Sequence, residues 1–90
     1  MRMKTLRFPE ARGGSFSLKA RRHAIGEVLE ARFSLAAFDK IRRADPAYWA
    51  SPRNDMGRGI YGEAMREKQR LHSISDAQLQ AETRSVRAAS

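Results

Sequence analysis

The sequence has no cysteine among its 90 residues. This absence excludes a disulfide framework and a thiolate metal site, and it fits a cytoplasmic location. Long apolar runs are missing too: the longest, residues 35–38, is far shorter than the ~20 residues of a membrane-spanning helix. The charged residues 1–7 are not followed by an apolar segment, so we expect neither a secretory signal nor a membrane partner.

Large core-forming side chains are scarce. Leu, Ile, Val and Phe total 16 of 90 residues, and with a net charge of +8 this composition lies close to that of disordered chains. Small chains also bury a lower fraction of their surface than large ones. We therefore expect one domain with a modest core. Formation of a homodimer, which would stabilise that core, is left as an open alternative.

The sequence is rich in positive charge, with 18 Lys and Arg against 10 Asp and Glu. The first 22 residues carry seven of these basic residues, and Glu10 is their only acid. Arg outnumbers Lys 14 to 4, and the planar guanidinium suits bidentate contacts with phosphates and guanine edges. This pattern predicts a nucleic-acid partner, with a solvated basic surface as the alternative.

Alternating apolar residues at the N-terminus predict a short β-hairpin or an extended, basic arm in residues 1–17. Leu6 and Phe8 share one side of the first segment, and Phe16 and Leu18 repeat this period after two glycines. The rest of the chain has helical spacing. The predicted fold class is therefore mainly α, a small helical domain preceded by this arm.

Residues 18–45 are predicted to form a pair of helices. The apolar stripe changes side near Ser34, whose hydroxyl would cap a second helix over residues 35–43. Asp45 and Pro46 end that helix, because a residue before proline is disfavoured in the helical region.

The remaining sequence predicts three further segments. Prolines and glycines in residues 46–62 indicate a structured loop or a small wing, and residues 63–72 favour a third helix that completes a basic domain over residues 1–72. Residues 73–90 begin with the capping-box pattern Ser75-Asp76-Ala77-Gln78 but offer few bulky anchors, so we expect a loosely packed helix or tail.

No pattern in the chain predicts catalysis. Residues 57–62 match G-x-G-x-x-G, but the stretch before them is turn-like and too few residues follow for a dinucleotide-binding domain. His23 and His72 lie far apart and have no partners at metal-ligand spacing. We expect a protein that is not an enzyme and that needs no metal and no cofactor.

Aromatic and basic residues alternate in the predicted loop, where Tyr48, Trp49 and Tyr61 lie among Arg53 and Arg58. Such interleaving could stack on unpaired bases. A chain this poor in aliphatic residues is nevertheless expected to use its largest rings as core anchors, and we favour that interpretation.

The residues Phe33-Ser34-Leu35-Ala36-Ala37-Phe38-Asp39-Lys40-Ile41-Arg42-Arg43 resemble the turn and second helix of a helix-turn-helix. The following Asp45-Pro46-Ala47-Tyr48 and Gly57-Arg58 are similar to the tail and wing of small excisionase or AlpA-type winged helix-turn-helix proteins. This resemblance implies DNA binding through a recognition helix and a wing, in phage or mobile-element regulation. Two ordinary packed helices with a serine cap between them are the alternative.

The sequence thus predicts a non-enzymatic regulator that binds DNA in preference to RNA. The alternative is a phage-type inhibitor or adaptor whose basic surface docks on an acidic nucleic-acid-binding groove of a host protein. The candidate nucleic-acid-binding residues are Arg2, Lys4, Arg7, Lys19, Arg21, Arg22, Lys40, Arg42, Arg43, Arg53 and Arg58.

Overall fold

The structure, a computed structural model, describes residues 16–89, and these residues are helical almost throughout. The elements are α1 (Leu18–Phe33), α2 (Leu35–Ala44), α3 (Pro46–Ala50), a 3-10 turn (Pro52–Asn54), α4 (Asp55–Ser73) and α5 (Asp76–Ala89). The predicted mainly helical class is confirmed, and no strand occurs within these residues. All but the last two residues of the predicted hairpin or arm lie outside the described residues.

The core lies where α1, the second half of α4 and α5 meet. The backbone N–H of Phe16, just before α1, donates a hydrogen bond to the Asp76 carboxylate at the start of α5. Arg87, near the end of α5, forms an ion pair with Glu27 on α1. These two contacts show that α1 and α5 run parallel. Helix α4 runs antiparallel to α1, because Arg21 near the start of α1 bonds to Leu71 and Arg32 near its end pairs with Glu67. The buried apolar side chains are Ala24, Ile25, Val28, Leu29, Ala64, Leu71 and Leu79.

The break between α1 and α2 falls at Ser34, as predicted, but its physical basis differs from the prediction. Ser34 adopts a left-handed conformation with φ 54°, and its backbone N–H donates to the Glu30 carbonyl to close α1. Its hydroxyl makes no capping hydrogen bond to α2. The Glu30 carboxylate instead accepts from the Ala36 N–H at 2.9 Å, so a side chain of α1 caps α2.

The loop or wing predicted for residues 46–62 is wrong, because this stretch is helical. The Asp45 carboxylate accepts from the Tyr48 N–H at 3.1 Å and caps α3, with Pro46 at the first helical position, where its missing N–H is harmless. The glycines at 57, 59 and 62 belong to α4, which is longer than the predicted third helix. At Gly57 a Cβ atom would overlap the buried side chain of Asn54, so this glycine permits a close approach.

The C-terminal segment, predicted as a loosely packed helix or tail over residues 73–90, forms helix α5, but the predicted loose packing is wrong. Leu79 is fully buried and Thr83 is 5% exposed, because α5 packs along α1. The predicted cap is confirmed: the Ser75 hydroxyl accepts from the Gln78 N–H at 3.1 Å. Helix α5 has only two bulky apolar residues, Leu79 and Val86, which led to the expectation of loose packing, but both of them pack on the core.

Candidate nucleic-acid interface

Helix α2 carries three of the predicted cations and lies outside the main core. Its apolar residues Leu35 and Phe38 are half-buried, and it has no fully buried residue. Lys40 and Arg43 are exposed and three positions apart, so they lie on one face of the helix. This face is open to a large partner.

Arg42 is held in place by the neighbouring elements. Its guanidinium donates to the Asp39 carboxylate at 3.1 Å and lies 5.6 Å from the centre of the Tyr61 ring. The Tyr61 hydroxyl donates to the same carboxylate oxygen at 2.8 Å. That hydrogen bond, with a smaller contribution from Arg42, lowers the pKa of Asp39 below its ordinary value. The carboxylate therefore stays charged and orients Arg42 along α2.

Three aromatic rings connect α2, α3 and α4. The Trp49 ring meets Phe38 edge-to-face at 6.4 Å and Tyr61 edge-to-face at 5.2 Å between centroids. Such pairs contribute about 0.5–1.5 kcal/mol beyond the burial of their area. The favoured interpretation of Trp49 and Tyr61 as packing anchors is consistent with this arrangement.

Tyr48 differs from these rings, because it is 36% exposed and lies outside the stack. The Arg53 guanidinium lies 5.8 Å from the centre of its ring. This pair is an exposed aromatic and basic surface that could contact a base or a phosphate.

Two predicted binding residues are engaged inside the fold. The Arg21 guanidinium pairs with Asp76 and donates to the carbonyls of Leu71, His72 and Ile74, which joins the start of α1 to the α4–α5 turn. Arg58 donates to the carbonyls of Trp49 and Ser51 and closes the end of α3. Neither guanidinium is free for a phosphate, so we leave both out of the candidate interface.

The other predicted residues fall into two groups. Lys19 and Arg22 are exposed on α1, away from α2 in sequence. Arg2, Lys4 and Arg7 lie outside the described residues. The candidate cations that the structure describes as exposed are therefore carried by α1, α2 and the 3-10 turn.

Most acidic side chains in residues 16–89 form ion pairs or cap helices. The basic side chains that are left over make the surface cationic. Arg32 and Arg70 bind Glu67 and Glu82 in a network that connects α1, α4 and α5. Within residues 16–89, six Lys and Arg side chains form ion pairs with carboxylates. Across this same stretch eight basic side chains have no ion pair: Lys19, Arg22, Lys40, Arg43, Arg53, Arg66, Lys68 and Arg84.

Sequence patterns alone do not reveal the pairing network or the internal role of Arg21. The only local signal was the capping box at Ser75, which placed Asp76 in the first turn of α5. The partners of Asp76 lie 55 and 60 positions away, so spacing alone could not reveal them. Among the described residues no group of three His, Cys, Asp or Glu side chains could hold a metal ion.

Comparisons with protein-family models, curated proteins and solved structures found no match. The resemblance to excisionase or AlpA-type proteins therefore stays a prediction. Within residues 16–89, none of the helices combines the length and hydropathy needed to cross a membrane.

Proposed function

We propose that this protein is a non-enzymatic DNA-binding protein and that α2 is the element that enters the major groove. The observation that carries this proposal is the surplus of unpaired cations within the described residues, two of which share the outer face of α2. Fixed positive charge of this kind attracts a polyanion and speeds encounter with it.

The dimensions of α2 support the same proposal. Its 10 residues span about 15 Å at the usual helical rise, and the DNA major groove, about 12 Å wide, admits a helix. In this proposal Lys40 and Arg43 contact phosphates or base edges, while Arg42, held by Asp39 over the Tyr61 ring, helps to fix α2 in place. Arg53 and Tyr48 extend the surface from α3 onward.

The proposed mode of binding differs from that of a winged helix-turn-helix. A single residue, Ser34, joins α1 to α2, whereas a helix-turn-helix has a turn of three or four residues. The stretch predicted as a wing is helical. The proposal therefore rests on the charge and exposure of α2, and a regulatory role of the mobile-element type rests on the resemblance alone.

The alternative of a protein-binding inhibitor needs exposed apolar anchors. Phe38, Trp49 and Tyr61 would be candidates, but the Trp49 ring packs against both of the other two. These three rings therefore offer no free anchor on the side of α2, which favours DNA as the partner of that helix.

The test is a titration of fluorescent random duplex DNA with the purified protein at several salt concentrations. The logarithm of the affinity should fall linearly with the logarithm of salt, with a slope of about −0.9 per neutralised phosphate. The double variant Lys40→Ala/Arg43→Ala should bind more weakly and reduce the steepness of this slope by about 2. A salt-independent affinity, or no binding at low salt by the folded protein, would refute the proposal.

The matched control is Arg66→Ala/Lys68→Ala on α4, which removes the same amount of charge. Both of these side chains are exposed and form no ion pair within residues 16–89. It should keep most of the affinity. Equal losses in both double variants would show that total charge decides binding and that α2 has no special role. Competition with duplex RNA on the same samples would separate DNA from RNA as the preferred ligand.

A further inference from the structure

A groove runs between α1 and α5 beside Phe16, on a part of the molecule separate from α2. It has a volume of about 650 Å³, within the range of about 300–1,000 Å³ typical of ligand sites. Ala20, Ala24 and Thr83 lie along it, and all three side chains are small. The Thr83 hydroxyl donates to the Leu79 carbonyl at 2.8 Å, so it does not demand a polar partner in the groove.

The ionisable residues along the groove are almost all basic. Lys19 and His23 line it from α1, and Arg84 and Arg87 line it from α5. Glu27 is its only acid, and both of its oxygens accept from Arg87, at 2.6 and 2.9 Å. Lys19 and Arg84 have no ion pair within residues 16–89 and are exposed. An occupant would therefore meet a largely apolar floor between cations that lack counter-charges.

Charge complementarity argues against two occupants from the chain itself. The segment before Phe16 carries Arg2, Lys4, Arg7 and Arg12 against Glu10 alone, so the cations of the groove repel it. A second copy offers few acids, because most carboxylates in residues 16–89 already hold an arginine or cap a helix.

We propose that the groove between α1 and α5 is a docking site for an acidic amphipathic helix of a partner protein. The apolar face of that helix lies over Ala20 and Ala24, where small side chains let its backbone approach. Its Asp and Glu side chains reach Lys19 and Arg84. Along α1 the groove runs from Lys19 to Glu27, about 12 Å at the usual rise, which matches roughly two turns of helix.

The experiment is a selection of helical peptides of random sequence, displayed on phage, against the full-length protein. Enriched peptides should be acidic and should carry apolar residues at spacings of three and four. A synthetic copy of the most enriched peptide should shift the backbone amide resonances of α1 and α5 along the groove. No enrichment, or enrichment of peptides without acidic residues, would overturn the proposal.

Two variants separate the groove from general attraction to a basic protein. Lys19→Glu/Arg84→Glu should weaken peptide binding by about tenfold or more, whereas Arg66→Glu/Lys68→Glu, with the same change in charge, should weaken it by less than about threefold. Ala20→Phe fills the groove without changing charge and should abolish binding. Its control, Ala81→Phe, alters an exposed alanine of α5 that does not line the groove and should bind normally.

Other occupants would be visible in the same samples. Changes in the amide resonances of residues 1–15 caused by Ala20→Phe, without peptide, would mean that the protein's own N-terminal segment fills the groove. A dimer in light scattering that Ala20→Phe dissociates would mean that a second copy fills it. Either result, or equal losses in the two double variants, would contradict the proposal.

Discussion

The hydroxyl of Tyr61 on α4 donates a 2.8 Å hydrogen bond to Asp39 on α2, across 22 positions of sequence. The same carboxylate holds Arg42, whose guanidinium lies over the Tyr61 ring. Burial, followed by the hydrogen bond to Asp39, raises the pKa of Tyr61, so the phenol stays protonated and remains a donor. This contact fixes the orientation of α2 relative to the long helix that supports it.

Replacing Tyr61 with Phe should destabilise the fold by about 1.5 kcal/mol or more, because a hydrogen bond to a charged acceptor is lost while the ring stack on Trp49 is kept. Urea unfolding would measure the change. Tyr48→Phe is the control, since the Tyr48 hydroxyl makes no hydrogen bond within residues 16–89. Equal effects of the two variants would show that the Asp39 contact contributes nothing.

Arg21→Ala should cost about 2 kcal/mol, because it leaves Asp76 and the carbonyls at the end of α4 without their charged donor. Arg22→Ala removes the same charge from a neighbouring exposed side chain and should change stability by less than about 0.5 kcal/mol. Thermal unfolding of the two variants tests the difference. A stable Arg21→Ala protein would mean that the α4–α5 turn holds without this contact.

Three helical glycines should respond differently to alanine. A Cβ atom at Gly26 or Gly59 meets nothing within 4 Å, so both substitutions should stabilise the protein by about 0.5–1 kcal/mol through helix propensity. Gly57→Ala should destabilise it by about 1–2 kcal/mol, since the new Cβ displaces Asn54, whose amide donates to the Trp49 carbonyl at 3.1 Å. Chemical denaturation of the three variants would show whether each substitution raises or lowers the free energy of unfolding. A stabilising effect of Gly57→Ala would contradict the close approach of Gly57 to Asn54.

The network around Glu82 predicts how stability depends on pH. The hydrogen bond from Arg70, with that from Arg32, lowers the pKa of Glu82 from 4.5 to about 2. A carboxyl with a lowered pKa in the folded state stabilises the protein fully above its unfolded value, and this contribution is lost as the pH falls from about 5 to 2. The melting temperature should therefore drop across that range.

Glu82→Gln should lower the melting temperature at pH 7 and flatten its fall between about pH 5 and 2, because the titrating group is gone. Glu63→Gln is the control, since this exposed carboxylate has no ion pair in the part of the chain that the structure describes. If Glu82→Gln follows the same pH profile as the unaltered protein, other carboxylates must carry the dependence.

The places where the sequence analysis was right and wrong follow from the range of the interactions involved. The break at Ser34, the stop at Asp45 and the cap at Ser75 depend on neighbours within six positions, which a sequence pattern can register. Residues 46–62 were wrongly predicted as a loop because prolines and glycines usually interrupt helices. Here Pro46 and Pro52 fall at helix starts, and Gly57 packs on Asn54.

The sequence by itself determined the helical class, the main helix breaks and the large positive charge, because capping, periodicity and composition are local or additive properties. Only the tertiary structure decided which arginines are structural and which are exposed. Arg21 and Arg22 are adjacent in sequence, yet the fold encloses one among the carbonyls of a turn some 50 positions away and leaves the other in solvent. Whether an arginine is structural or exposed depends on long-range packing. Its guanidinium takes a structural role only when the fold brings hydrogen-bond acceptors from distant parts of the sequence to it.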